Sequence, residues 1–311
     1  MTLTVAQCIA DMKLAGGTSD GFVPTDAVNN VGRIIAGLHA WKWRERLGRL
    51  NTRASVDIVN ATWTESSKTL TKTGAFADYV FLAGDEVEIT GGADAELGFY
   101  PVASRVDANS ITLETSIGAA ADTDTDIDGT LHASACALPA DCEALIDRPR
   151  AHKLSTSGAF VELVTRDELI SYRYSSSTDT SGSPALGAIV YAQTAAAGAP
   201  VKRLELHPAP SSNTTSAYVV PYRAMWKTVN SDQDTVPIPD FLEPFFRDAC
   251  RLYARSIIEN DSIGFAERLA SRLQSPDYAA VLYCDGLVQP GYGRLGAQHT
   301  PPEEWTILDP A

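Results

Sequence analysis

The chain has 311 residues, 44% hydrophobic and 21% charged, the usage of a globular protein and not of a disordered one, and long enough for about two structural units. Its 25 Lys and Arg against 39 Asp and Glu leave a net charge of −14. Such a chain repels phosphate, which argues against sequence-specific DNA reading from a basic footprint.

The acidity is local: residues 1–50 carry +2, residues 51–150 carry −11 and residues 151–311 carry −5. Five cysteines (Cys8, Cys136, Cys142, Cys250, Cys284) form no short paired spacing and follow no leader-like segment, so reduced thiols are expected. No apolar run approaches the roughly 20 residues that span a bilayer. The expectation is a soluble protein made in a cytoplasm, with no membrane partner.

Val5, Cys8, Ile9 and Met12 recur at helical spacing behind Thr2 and Thr4, and Gly16-Gly17 ends the pattern. Pro24-Thr25-Asp26 opens a second helix, whose stripe Val28, Val31, Ile35 and Leu38 leads to Trp41 and Trp43. Arg44, Arg46 and Arg49 follow on its polar end.

From about residue 53 the period falls to two: Val56, Ile58, Leu70, Val87, Ile89, Val102, Val106, Ile111 and Leu113 alternate with polar residues. Turns at Gly84-Asp85, Gly91-Gly92 and Asp107–Ser110 leave about five short strands, a small barrel or sandwich. The acidic run from Ala121 to Gly129 is expected to be a solvated loop that closes this module. Further strands are predicted at 160–164, 186–191, 203–206 and 217–222, with a loop at 175–183. Pro237-Ile238-Pro239-Asp240 opens the strongest helix, with Leu242, Phe245, Phe246, Ala249, Leu252, Tyr253 and Ile257 on one stripe and Arg247, Arg251 and Arg255 opposite. A shorter helix carries Phe265, Leu269 and Leu273, and Ser275-Pro276-Asp277 caps a last one. Residues 287–311 hold Pro and Gly without a sustained period and read as an extended arm.

The predicted fold class is therefore α+β: a helical bundle with a β-sheet region, an inserted small all-β module and a C-terminal arm. Its parts are residues 1–52, 53–133, 134–286 and 287–311.

Candidate chemistry is sparse. Gly17-Thr18-Ser19-Asp20-Gly21 has the nucleophile-elbow spacing but neither the strand before it nor the helix after it. Asp124-x-Asp126-x-Asp128-Gly129 matches the first half of a calcium loop, yet position twelve is Ala135 in place of Glu. His39, His132, His152, His207 and His299 lie far apart with no ligand-spaced neighbour, and phosphate-cradling glycine signatures are missing. No cofactor, metal or catalytic activity is expected.

The order of Trp41-Lys42-Trp43, Leu138-Pro139-Ala140-Asp141, Leu204-Glu205-Leu206-His207-Pro208-Ala209-Pro210, Tyr218–Tyr222 and Val236-Pro237-Ile238-Pro239-Asp240-Phe241 resembles a known family. It is similar to the head-to-tail adaptor proteins of tailed bacteriophages, the head-completion or tail tubular A type, over roughly residues 1–50 and 136–285. The β module lies where most members run almost directly from the Trp-rich helix to Leu-Pro-x-Asp. The resemblance implies a structural protein of the virion neck, usually twelve copies in a ring below the portal. Such a ring docks a tail or nozzle protein and lets double-stranded DNA pass unread.

Against that background, Tyr292, Trp305, Ile307 and Leu308 on the arm are candidates for binding the portal protein. Arg247, Arg251 and Arg255 are candidates for pairing with a neighbouring subunit. The alternative is a carbohydrate-binding or glycan-degrading tail component using two of Asp85, Glu88 and Asp94. A cytoplasmic regulator that binds a protein through the acidic loop is a third reading.

Overall fold

The computed structural model describes residues 3–16, 24–92, 95–118, 122–146, 150–153, 160–175, 182–192, 200–258 and 262–287. They form two compact units, one from the residues up to 47 and from 222 onward, the other from residues 48–221.

Helix α1 (Val5–Leu14) starts at a reciprocal cap: Thr4 Oγ1 accepts the Gln7 N–H while the Gln7 side chain accepts that of Thr4. Helix α2 (Pro24–Leu38) begins on proline, whose missing N–H costs nothing at that position, and buries Val28, Val31 and Ile35. Gly32 on α2 lets the helix pass close to Trp226, whose ring atoms would lie 2.2 Å from an added Cβ. Trp41 is fully buried and donates its indole N–H to the Ile35 carbonyl at 2.7 Å. The basic run after it does not lie on a polar end throughout. Arg44 is buried, donating to the carbonyls of Ala36 (2.6 Å) and Ala224 (2.9 Å), and burial with neighbouring Arg223 pushes its guanidinium down to about 10.

Strand β1 (Glu45–Thr52) is followed by six more: β2 (Val56–Thr64), β3 (Thr69–Thr71), β4 (Glu86–Gly91), β5 (Gly98–Arg105), β6 (Ser110–Leu113) and β7 (Thr123–His132). These six close into a barrel in the order β2-β3-β6-β5-β4-β7, leaving no unpaired edge. Alternate residues point inward, so Ile58, Trp63, Leu70, Val87, Val102 and Leu131 fill the interior. The acidic run is not a loop. It is β7, the strand that closes the barrel by pairing Leu131 with both Val56 and Val87. Asp126 and Asn60 both take positive φ where the β2–β7 register shifts, a backbone that short Asx side chains tolerate. Gly129 permits a close strand approach, since a Cβ there would lie 2.3 Å from the Glu88 carbonyl oxygen.

The chain continues through β8 (Ala135–Ala137), β9 (Cys142–Leu145), β10 (Arg150–Lys153), β11 (Phe160–Leu163), helix α3 (Arg166–Ser175), β12 (Leu186–Ala192), β13 (Val201–His207) and β14 (Thr214–Ala224). With β1 they form an eight-stranded sheet in the order β1-β14-β10-β11-β12-β13-β8, with β9 also pairing β14. In it β10 pairs antiparallel with β11 and β14, and β13 with β12 and β8, whereas β11 pairs with β12 in parallel, Glu162 facing Leu186. A parallel pair needs a crossover, and α3 belongs to that connection.

The last helices, α4 (Glu243–Ile258), α5 (Ser262–Leu273) and α6 (Ala279–Leu287), share one core with α1 and α2: Val5, Met12, Val31, Trp41, Phe245, Phe246 and Leu269 are all buried in it. No described helix is long and apolar enough to cross a membrane.

The fold class expected from the sequence is overturned. Among the described residues strand outweighs helix, with a closed barrel and a large sheet where a helical bundle carrying a smaller β region was expected. The bias has a physical source: β8 to β11 are only three or four residues long and show no sustained alternation, while α4 announces itself over 16 residues. The expected arm lies beyond Leu287, outside the described residues.

Candidate functional site

Two features of the 48–221 unit gather polar side chains. The first is built on Asp85, placed by the Gly84-Asp85 turn before β4, with no side-chain surface in contact with water. Arg53 donates to both of its oxygens, Arg203 from β13 reaches Oδ1 at 3.3 Å, and the Tyr79 hydroxyl donates to Oδ2 at 2.8 Å. The Leu82 N–H adds a fifth donor contact at 3.1 Å. Both arginines also donate to carbonyl oxygens, Arg53 to Ala135 and Val80, Arg203 to Ala83, while the buried Arg203 Nε has no partner among the described residues. Burial, and then the charge of Asp85, drive the Tyr79 hydroxyl far above its ordinary range, so it stays a donor.

This arrangement has no vacant acceptor facing solvent. A general acid or base must reach a substrate proton at hydrogen-bond distance, and Asp85 is enclosed. The cluster ties together residues before β2, before β4 and in β13, all within one unit.

The second feature is a cleft of about 720 Å3. Leu138, Leu163, Ile189 and Tyr191 supply apolar surface, and Glu143, Glu162, Glu168, Arg166 and Lys202 supply charge. Lys202 is turned on the protein itself: its ammonium donates to the Cys142 (2.9 Å) and Glu143 (2.6 Å) carbonyls and lies 5.4 Å from the centre of the Tyr191 ring. Glu168 accepts from the N–H and the hydroxyl of Thr165, bonds that hold its carboxyl below the usual range and cap α3. Burial pushes the Cys142 thiol up, which removes thiolate nucleophile character at neutral pH.

Of the residues expected to pair between subunits, Arg247 and Arg251 hold Asp11 of α1 within the same chain at 2.6 Å each. Arg255 is exposed one turn further along α4. Burial alone would raise the Asp11 pKa, but the two guanidinium groups outweigh it and the net direction is down. Cys8 and Cys250 lie beside this group, both fully buried, and desolvation drives the Cys250 thiol well up. All five cysteines carry no disulfide.

The remaining candidates scatter. Tyr292, Trp305, Ile307 and Leu308, the Gly17–Gly21 run, Asp94 and His299 lie outside the described residues. Asp124, Asp126 and Asp128 sit on β7, where Asp128 accepts the Asn60 N–H at 2.8 Å. Among the described residues no three of His, Cys, Asp or Glu come together as a metal would require. Glu88 pairs with His132 at 3.0 Å on the barrel's exterior.

The cleft escaped the sequence reading because its walls come from residues 138–202 with no shared motif. Thr165-x-x-Glu168 was the one available signal, since that spacing marks a helix start. No protein-family profile matches the chain, and no curated protein matches it in sequence.

Proposed function

We propose that this chain is a structural protein of a tailed-phage neck, a ring-forming head-to-tail adaptor. In this reading it binds below the portal protein and offers a platform to a tail or nozzle protein while double-stranded DNA passes through the ring. The observation that carries the reading is the ordered motif set similar to that family, together with the way its pieces support one another. Trp41 and Trp43 share a hydrophobic core with Val236, Ile238 and Phe241, some 200 residues away. Leu138 donates its N–H to the Lys202 carbonyl, and Cys136 pairs across from Leu204, which opens the Leu-x-x-x-Pro-x-Pro segment. Motifs spent on buried frame suit a protein whose work is shape.

The acidity supports passage of DNA without adhesion, because like charge keeps phosphate at a distance. The glycan-directed alternative gains no comparable support: Asp85 is sealed among two arginines and a tyrosine, and Glu88 is engaged by His132.

The reading is tested by sedimenting the full chain through a density gradient with the portal protein of the same genome. The chain is expected to travel with portal rings, and replacement of Trp305, Ile307 and Leu308 by alanine to release it. Wild-type chain left at the top of the gradient would contradict the proposal.

A further inference from the structure

We propose that the cleft on the 48–221 unit receives residues 288–298 of a second copy of this chain. The inference rests on the ring reading and names the contact between neighbours in that ring.

Three observations carry it. The cleft's volume of about 720 Å3 lies within the roughly 300–1,000 Å3 of sites that enclose a compact ligand, enough for a few residues of extended chain. Its lining is apolar at Leu138, Leu163 and Ile189 and net acidic, with Glu143, Glu162 and Glu168 against Arg166 and Lys202; Lys202 is held by two internal carbonyl oxygens and Glu168 by Thr165. An occupant should then be apolar, carry a cation and lack carboxylates.

Residues 288–298 have that composition. They contain Val288, Tyr292 and Leu295 for the apolar lining and Arg294 for Glu162, with no Asp or Glu. Residues 299–311 carry Glu303, Glu304 and Asp309 and are excluded by the same rim. The arm is thus divided by charge, its first half matched to this cleft and its second half, with Trp305, Ile307 and Leu308, left for the portal. Tyr292 accordingly moves from the portal-binding set to the contact between copies.

Eleven extended residues reach up to about 36 Å. A contact of one patch with a different patch on the next copy is heterologous, and repeated with a closing rotation it generates a ring.

The test uses the full chain with the photoreactive residue p-benzoylphenylalanine in place of Tyr292. Isotopically heavy and light copies are mixed with portal protein, irradiated, and the crosslinked peptides sequenced by mass spectrometry. Crosslinks from position 292 into residues 138–145 or 162–168, including heavy-to-light pairs, are the expected result. Glu162→Lys and Arg294→Glu should each lower that yield about two- to fivefold, the size of one rim ion pair, and the two together should restore it. Recovery of the yield in the double variant separates an ion pair from a loss of folding. Crosslinks confined to one copy, or to cleft-remote peptides, overturn the inference. Crosslinks into the portal overturn it while leaving the adaptor reading standing. A portal complex that never forms removes the adaptor reading, and heavy-to-light crosslinks without portal would then still place the arm in a second copy.

Discussion

The barrel and the eight-stranded sheet are built from the same kinds of residue, yet one closes and the other does not. In the barrel every strand has two partners, and the interior is filled by Trp63, Leu70, Phe76 and Leu131. Closure carries local backbone costs, visible as positive φ at Asn60 and Asp126 and as Gly129 pressed on the Glu88 carbonyl. Among the described residues the sheet carries one such position, Ser216 in β14, and includes the short strands β8 to β11; the cleft is lined by β9, the end of β11 and the start of α3. Closure yields a sealed body, even with the buried Asp124 Oδ2 of β7 left without a hydrogen-bond partner among the described residues, whereas interruption yields a surface that something else can fill.

The sharpest way to break this contrast is Asp85→Ala. It would strand Arg53 and Arg203 in a dry environment, and removing one member of a buried charge cluster costs about 3–5 kcal/mol. Urea denaturation should show a loss of that size, and a loss under about 1 kcal/mol would mean the cluster is solvated. Gly129→Ala comes next. Forcing a methyl group against the β4 backbone should cost about 1–3 kcal/mol and lower the thermal midpoint, while Gly286→Ala, with nothing within 4 Å of the added atom, should leave it within experimental scatter.

Acid provides a third test, this time of the helical unit. Asp11 has a lowered pKa in the folded chain, so it binds its proton less readily there than when unfolded. Its stabilisation is therefore complete above the unfolded value near 3.8 and is lost as pH falls through the lower folded value. Asp11→Asn should flatten the urea midpoint's dependence on pH below about 4, and an unchanged slope would remove Asp11 as its source. The smallest effect is expected at Thr165→Ala, which deletes the α3 cap for about 1 kcal/mol. Faster amide exchange confined to α3 would report it, and unchanged exchange there would show that the cap contributes nothing.

Legibility followed element length and regularity. The barrel strands alternate over five residues or more at β2, β4 and β5, and α4 repeats its stripe through Phe245, Ala249 and Leu252, so both were visible in the sequence. The acidic run of β7 looks solvated in the sequence, yet Asp124 is buried and only Asp126 is exposed, on a strand whose Ile127, Gly129 and Leu131 are buried. β1 was missed since Arg44, Arg46 and Arg49 suggested a polar helix end, and nothing local signals that the Arg44 guanidinium will be consumed by two carbonyls. The Asp85 cluster was invisible for a topological reason: Arg53, Tyr79 and Arg203 meet only after the barrel has closed and β13 has joined the sheet. The charge stripe Arg247, Arg251 and Arg255 was read correctly as a face of α4, but its first two members found their carboxylate at home, on α1.

The central claim, that the chain works as a ring below a portal, is tested most directly by native mass spectrometry of the full chain with that portal protein. The account predicts a single complex whose mass exceeds the portal ring by a fixed number of copies, twelve on the family pattern. Free chain beside unmodified portal rings at every mixing ratio would contradict it.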